Sequence, residues 1–186
     1  VRDLRRRLRR GGLRSRMNLL VVRHAIAVDP AEHARGHPDD AGRPLTSEGQ
    51  RKMKRAAKGL RTLVPEVQLL ATSPLTRARE TADILAAVYE PVIPVVVSEL
   101  APGQPASALA HWLDGERRHE TVVVVGHEPG LSRAVAWLLA GTERSFLELK
   151  KGAACLLTFP GAVAAASGTL LWALTPAQLR DLGEGR

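Results

Sequence analysis

Residues 121–130 read Thr-Val-Val-Val-Val-Gly-His-Glu-Pro-Gly, and the fold turns on how this stretch is read. Four consecutive valines without polar alternation describe a strand covered on both faces, as strands of parallel sheets are. Gly126 to Pro129 then turn the chain, and Leu131, Val135, Leu138 and Leu139 recur at helical spacing. A buried strand followed directly by a helix with one apolar face is the repeating unit of an α/β protein.

The pattern recurs on either side. Asn18 to Arg23 (NLLVVR) is an apolar run that ends abruptly in charge, as a buried strand does at the edge of its sheet. Val67–Thr72 and Pro91–Val97 read as further strands. Between them, Ser47 and Gln50 fit a capping box ahead of Met53, Ala56, Ala57 and Leu60. Ser73 is placed to cap a helix opening at Pro74, with Ala78, Ala82, Leu85 and Val88 as its inner stripe. Ser107–Leu113 predicts a short helix, and Ala153–Phe159 and Thr169–Leu174 a closing pair of strands. Residues 27–45 are dense in turn formers and read as a long loop. The expected fold is a three-layer α/β/α sandwich with a mostly parallel central sheet and helices on both faces.

A chain of 186 residues with 45% hydrophobic and 25% charged side chains is the size of one globular domain. The net charge of +8 is concentrated: residues 1–16 carry eight arginines against Asp3 alone, and residues 17–186 are nearly neutral. The expected division is a flexible arginine-rich extension over 1–16 and a single domain over 17–186. Such an arm suits nucleic acid or an anionic membrane through its phosphates. The single cysteine, Cys155, excludes an internal disulfide and a cysteine-rich zinc site, which makes a reducing cytoplasm the default location. No window approaches the roughly 18 apolar residues of a membrane span. Aromatic residues at 3% leave little for base stacking.

Ligands of open α/β sheets bind beyond the carboxyl ends of the strands. Three such ends are chemically loaded: Arg23-His24, Ser73-Pro74 leading to Arg77, and Gly126-His127. Two guanidinium groups and two imidazoles converging there, with no carboxylate among them, fit a dianion such as phosphate. Adjacent cations disfavour a protonated His24, leaving a free ring nitrogen able to attack phosphorus. Arg23, Arg77 and His127 are then positioned to stabilise the transition-state charge without a metal.

Arg23-His24-Ala25, Ser73-Pro74-Leu75-Thr76-Arg77-Ala78 and Gly126-His127-Glu128-Pro129-Gly130 together resemble the histidine phosphatase superfamily, with its phosphoglycerate mutase-like fold. The resemblance is strongest to the compact SixA-type phosphohistidine phosphatases and spans about residues 17–175. Ala25, where the wider family usually has glycine, and Arg43-Pro44-Leu45-Thr46 are similar to that branch. The resemblance implies that His24 is the phosphorylated nucleophile, that Arg23 and Arg77 clamp phosphate, and that His127 hydrogen-bonds it. Glu99 lies roughly where the mutase-like branch carries a general acid, without the surrounding pattern. A phosphohistidine substrate needs such an acid less than an ester does, because imidazole is the better leaving group.

Other residues have plainer readings. His33 and His37 are four apart, but Gly36 and Pro38 oppose a helix there, and no metal or other cofactor is expected. His111 and His119 read as solvated, Arg79 as a surface residue, and Glu128 as a cap for the helix at Pro129. Arg43 either reaches the pocket or pairs with Asp39 or Asp40, and Ser73 either touches phosphate or only caps. The expected function is a metal-independent phosphatase that forms a phosphohistidyl intermediate and acts on phosphohistidine in proteins. The alternatives are a small-molecule phosphomonoesterase of the same superfamily, or a non-catalytic phosphate-binding protein with a basic arm.

Overall fold

Strand β1 (Met17–Arg23) and strand β4 (Thr121–Gly126) lie side by side and parallel, pairing Asn18 with Thr121 through to Arg23 with Gly126. The computed structural model describes residues 16–37 and 39–185, so the arginine-rich arm, Arg16 apart, lies outside the described residues, as does Pro38. The six strands run in the order β3-β2-β4-β1-β5-β6, where β2 is Leu69–Thr72, β3 Val95–Val96, β5 Ala154–Phe159 and β6 Thr169–Leu174. The first four are parallel; β5 and β6 close the sheet antiparallel.

The valines of β4 are divided between two cores, as alternation across a pleat requires. Val122 and Val124 join Leu19 and Val21 beneath α4 (Ala106–Gly115) and α5 (Gly130–Ala140). Val123 and Val125 join Leu20 and Val22 on the opposite face, beneath α2 (Ser47–Leu63), α3 (Thr76–Ala86) and α6 (Pro176–Gly183). Helices on both faces of a mostly parallel sheet make the expected α/β/α sandwich.

Several local expectations change. Residues 27–45 are not a plain loop: α1 (Pro30–Ala34) starts where Asp29 accepts from the Ala31 and Glu32 amides, and Asp40–Gly42 forms a 3-10 turn. Asp29-Pro30 is itself a helix-start signal, outweighed in the sequence by the turn formers after it. Helix α2 is capped by Thr46, whose hydroxyl accepts from Gly49, one residue before the expected Ser47. Helix α3 begins at Thr76 and has no side-chain cap, because its N-cap residue, Leu75, has no polar side-chain atom; the Ser73 hydroxyl, two residues earlier, accepts from the Leu75 amide at 3.3 Å and contacts His127. β3 shrinks to two half-open residues at the sheet edge, since Pro91 and Pro94 have no amide to donate.

Helix α6 was not anticipated. Thr175 and Gln178 form its capping box, and its backbone touches that of α2: a Cβ on Gly59 would lie 2.0 Å from the Leu179 carbonyl oxygen. Among the described residues no helix is long and apolar enough to cross a membrane.

Candidate active site

Adjacency of the parallel strands builds the site. The His24 amide donates to the Gly126 carbonyl at 3.0 Å, so the residues leaving β1 and β4 emerge side by side, and the rings of His24 and His127 stand 5.0 Å apart. On the other side of β4, the Ser73 amide donates to Val125 at 3.0 Å, which carries the chain from β2 past His127 and into α3 with Arg77. Three strand ends, far apart in sequence, thus meet.

The tautomer of His24 is set by its neighbour. Nδ1 lies 2.7 Å from the Ala25 carbonyl oxygen, which only accepts, so Nδ1 carries the proton and Nε2 keeps a bare lone pair. Burial, then the charges of Arg77, Arg23 and Arg43, outweigh that hydrogen bond and bring the His24 pKa down to about 4. Sequence reasoning expected the lowering but assigned it to the cations; desolvation is the larger cause. His127 falls to about 3, again first by burial and then by His24 and Arg77. Its Nε2 is 2.8 Å from the Ser73 hydroxyl.

Arg23 Nη1 donates to the Leu149 carbonyl at 2.7 Å, tying the segment before β5 to the end of β1. The Nε atoms of Arg23 and Arg77 and Nδ1 of His127 are buried nitrogens without hydrogen-bond partners. Arg77 is buried on α3 and is held by Asp40, whose Oδ2 is 3.1 Å from Nη2. Arg43 makes the second of the two contacts considered for it: it is buried, its Nε donates to Asp40 Oδ1 at 2.6 Å, and its Nη1 donates to the Val28 carbonyl at 2.8 Å. A carboxylate therefore stands within this cationic group, contrary to expectation. The Arg43 hydrogen bond is the main reason the Asp40 carboxyl is held below the usual carboxylate range.

Thr81 was also missed. Its hydroxyl accepts from the Ala25 amide at 3.0 Å and donates to the Arg77 carbonyl at 2.7 Å, joining the residue after His24 to the helix that carries Arg77. The i, i+4 spacing from Arg77 was the signal available. Ser73 contacts His127 and accepts from the Leu75 amide, but it does not cap the first amides of α3. Glu99 accepts from the Ser98 hydroxyl and lines a cavity of about 250 Å³ together with His127 and Glu128. Glu128 accepts from the Ser132 hydroxyl at 2.6 Å instead of a backbone amide, so it is not the expected cap. Arg79 is exposed. The His33 and His37 rings stack 4.6 Å apart, and among the described residues no group of three or more His, Cys, Asp or Glu side chains is arranged to hold a metal ion.

A family model described as the histidine phosphatase superfamily (branch 1) matches residues 19–100. An uncharacterized protein of Picosynechococcus sp. is 38% identical over 140 residues, covering 73% of this chain and 81% of its own. Among solved structures, the protein histidine phosphatase SixA complexed with tungstate superposes with a TM-score of 0.73 at 24% identity, covering 88% of this chain and 99% of that one. A phosphoglycerate mutase from Bacillus anthracis gives 0.63 at 13% identity, covering 91% and 97%. At these identities the structural likeness speaks to the fold.

Proposed function

The chain belongs to the histidine phosphatase superfamily, and from that premise we propose that it is a phosphatase acting on phosphohistidine in proteins, with His24 as the nucleophile. The observation that carries this reading is the Nδ1 contact of His24 with Ala25, which presents an uncharged Nε2 beside two arginines.

In the first step Nε2 of His24 forms a bond to phosphorus while the bond to the substrate's ring nitrogen breaks. A substrate imidazole protonated on its other nitrogen leaves as a neutral ring, taking the electron pair with it. Arg23 and Arg77 bind the equatorial oxygens, where the charge spreads. With the Ser73 hydroxyl donating to Nε2 of His127, Nδ1–H of that ring is a further donor toward phosphate. In the second step water attacks phosphorus, the bond to His24 breaks, and its electrons return to Nε2. The water's protons leave on inorganic phosphate, and neutral His24 is restored.

The substrate class follows from the leaving group. Among the described residues no carboxyl group is hydrogen-bonded to either ring, and the Glu99 carboxylate takes the hydroxyl of its neighbour Ser98. An alkoxide would need a proton delivered, whereas an imidazole departs without one.

The test is to assay wild type and His24→Ala on a phosphohistidine peptide and a panel of phosphate esters, with chelator present, and to trap labelled phosphate on the protein. Label on His24, turnover reduced by about a thousandfold or more in the variant, and indifference to chelator are expected. Faster hydrolysis of sugar phosphates than of the peptide would replace this reading with that of a small-molecule esterase.

A further inference from the structure

A second cleft, of about 540 Å³, opens on the Arg23 side of the site. Its floor is apolar, with Ala25, Met53 and Ala56 buried beneath it, and its rim carries Lys150, Lys151 and Arg180. Lys52, also on the rim, is matched by Glu48 at 2.5 Å. Among the described residues, Lys150, Lys151 and Arg180 have no carboxylate within ion-pair distance, and Glu148 is the single acid lining the cleft. Arg23 belongs to this cleft and to the phosphate site at once, and through Leu149 it anchors the segment that presents the two lysines. The opposite cavity, past His127, is lined by Glu99 and Glu128, neither of them ion-paired among the described residues, and by Glu143, which is matched by Arg133. The two flanks of the histidine pair therefore differ in sign.

We propose that the Lys150–Lys151–Arg180 cleft docks an acidic stretch of the target polypeptide flanking its phosphohistidine, which rests on the protein-phosphohistidine reading above. Charge complementarity names the partner: cations without internal partners attract carboxylates, and the sign difference across the site orients the chain so that its acidic side lies over Arg23. The apolar floor favours a polypeptide over a bare polyphosphate, because a peptide offers apolar side chains between its carboxylates. The volume falls within the roughly 300–1,000 Å³ of clefts that enclose compact ligands. Lys150 and Lys151 are exposed, so the attraction is screened by salt.

The test separates docking from chemistry by using a fluorescent peptide of alternating Glu and Leu that carries no phosphohistidine. Anisotropy should show wild type binding it about tenfold tighter than its Gln counterpart at low salt, with the difference fading at high salt. The double variant Lys150→Glu/Lys151→Glu should lose that preference with an unchanged unfolding midpoint, and Lys151→Arg should keep it. Equal binding of the Glu and Gln peptides, an unaffected double variant, or binding of tripolyphosphate but not of peptide would each overturn the proposal. Phosphohistidine hydrolysis is measured separately. Acidic-peptide binding without hydrolysis leaves the cleft assigned and removes the reaction, while hydrolysis without acidic preference removes only the cleft.

Discussion

Arg77 and Asp40 meet twice: the carboxylate approaches Nη2 at 3.1 Å, and the backbone carbonyl of Asp40 accepts from Nη1 at 3.0 Å. The carbonyl contact holds the guanidinium in place whatever the charge of the side chain. The carboxylate engages one of the groups proposed to bind phosphate and repels a dianion. Asp40→Asn keeps the shape and the backbone contact while removing the charge. Inorganic phosphate should then inhibit the variant at about three- to tenfold lower concentration, the scale of one screened charge near a surface. Weaker inhibition in the variant would mean that the carboxylate's main task is to position Arg77 and Arg43.

The rings of His24 and His127 should stay uncharged well below neutral pH. With His24 at about 4 and His127 at about 3, both lie below the ordinary 6.5 of imidazole. Nitrogen-resolved NMR should show neither ring gaining a proton between pH 7 and 5, and protonation beginning only below that. Each buried ring also ties stability to pH. The unfolded chain takes up protons as pH falls through about 6.5 and the folded one does not, so stability present above that pH declines toward the folded values. A ring titrating near 6.5 in the native protein would contradict the burial described for it.

The centre of the fold was legible because its signals were local and unopposed. The valines of β4 and the apolar run of β1 needed no long-range information, and strand adjacency then brought Arg23-His24 and Gly126-His127 together. What the sequence concealed depended on tertiary competition. The Ser73 hydroxyl has the chemistry of a cap and does accept from the Leu75 amide, yet its shorter contact is with a ring 54 residues away. Asp40 stood visible among loop residues, but its approach to Arg77 depends on α1 folding the segment back, and that helix was hidden by the surrounding turn formers. Helix α6 carries a capping box, but its short apolar face becomes convincing only against α2.

Thr81 links the residue after His24 to the helix that carries Arg77, and Thr81→Val should expose that link. Valine keeps the volume but leaves the buried Ala25 amide without its acceptor, which costs about 1–3 kcal/mol. Urea denaturation should register that loss as a lower midpoint at unchanged slope. Because the Ala25 carbonyl also accepts the hydrogen bond of His24 Nδ1–H, a looser Ala25 should lower kcat more than it raises KM. An unchanged midpoint would show that the amide finds another acceptor.

The contact between α2 and α6 depends on glycine. A methyl group on Gly59 would fall 2.0 Å from the Leu179 carbonyl oxygen and 3.0 Å from its carbon, and backbone cannot swing aside as a side-chain end can. Gly183 faces the same constraint from α2, since a Cβ added there would lie 2.2 Å from the Arg55 carbonyl oxygen, so neither helix can yield without separating the pair. Gly59→Ala should gain slightly in helix propensity, by about 1 kcal/mol at most, and lose more to overpacking, typically about 1–3 kcal/mol and occasionally beyond. The net is destabilising, and the melting temperature should drop by several degrees. Gly36→Ala is the matching control, since nothing lies within 4 Å of its added methyl. If calorimetry found Gly59→Ala as stable as Gly36→Ala, α6 would have to rest on α2 less closely than these distances require.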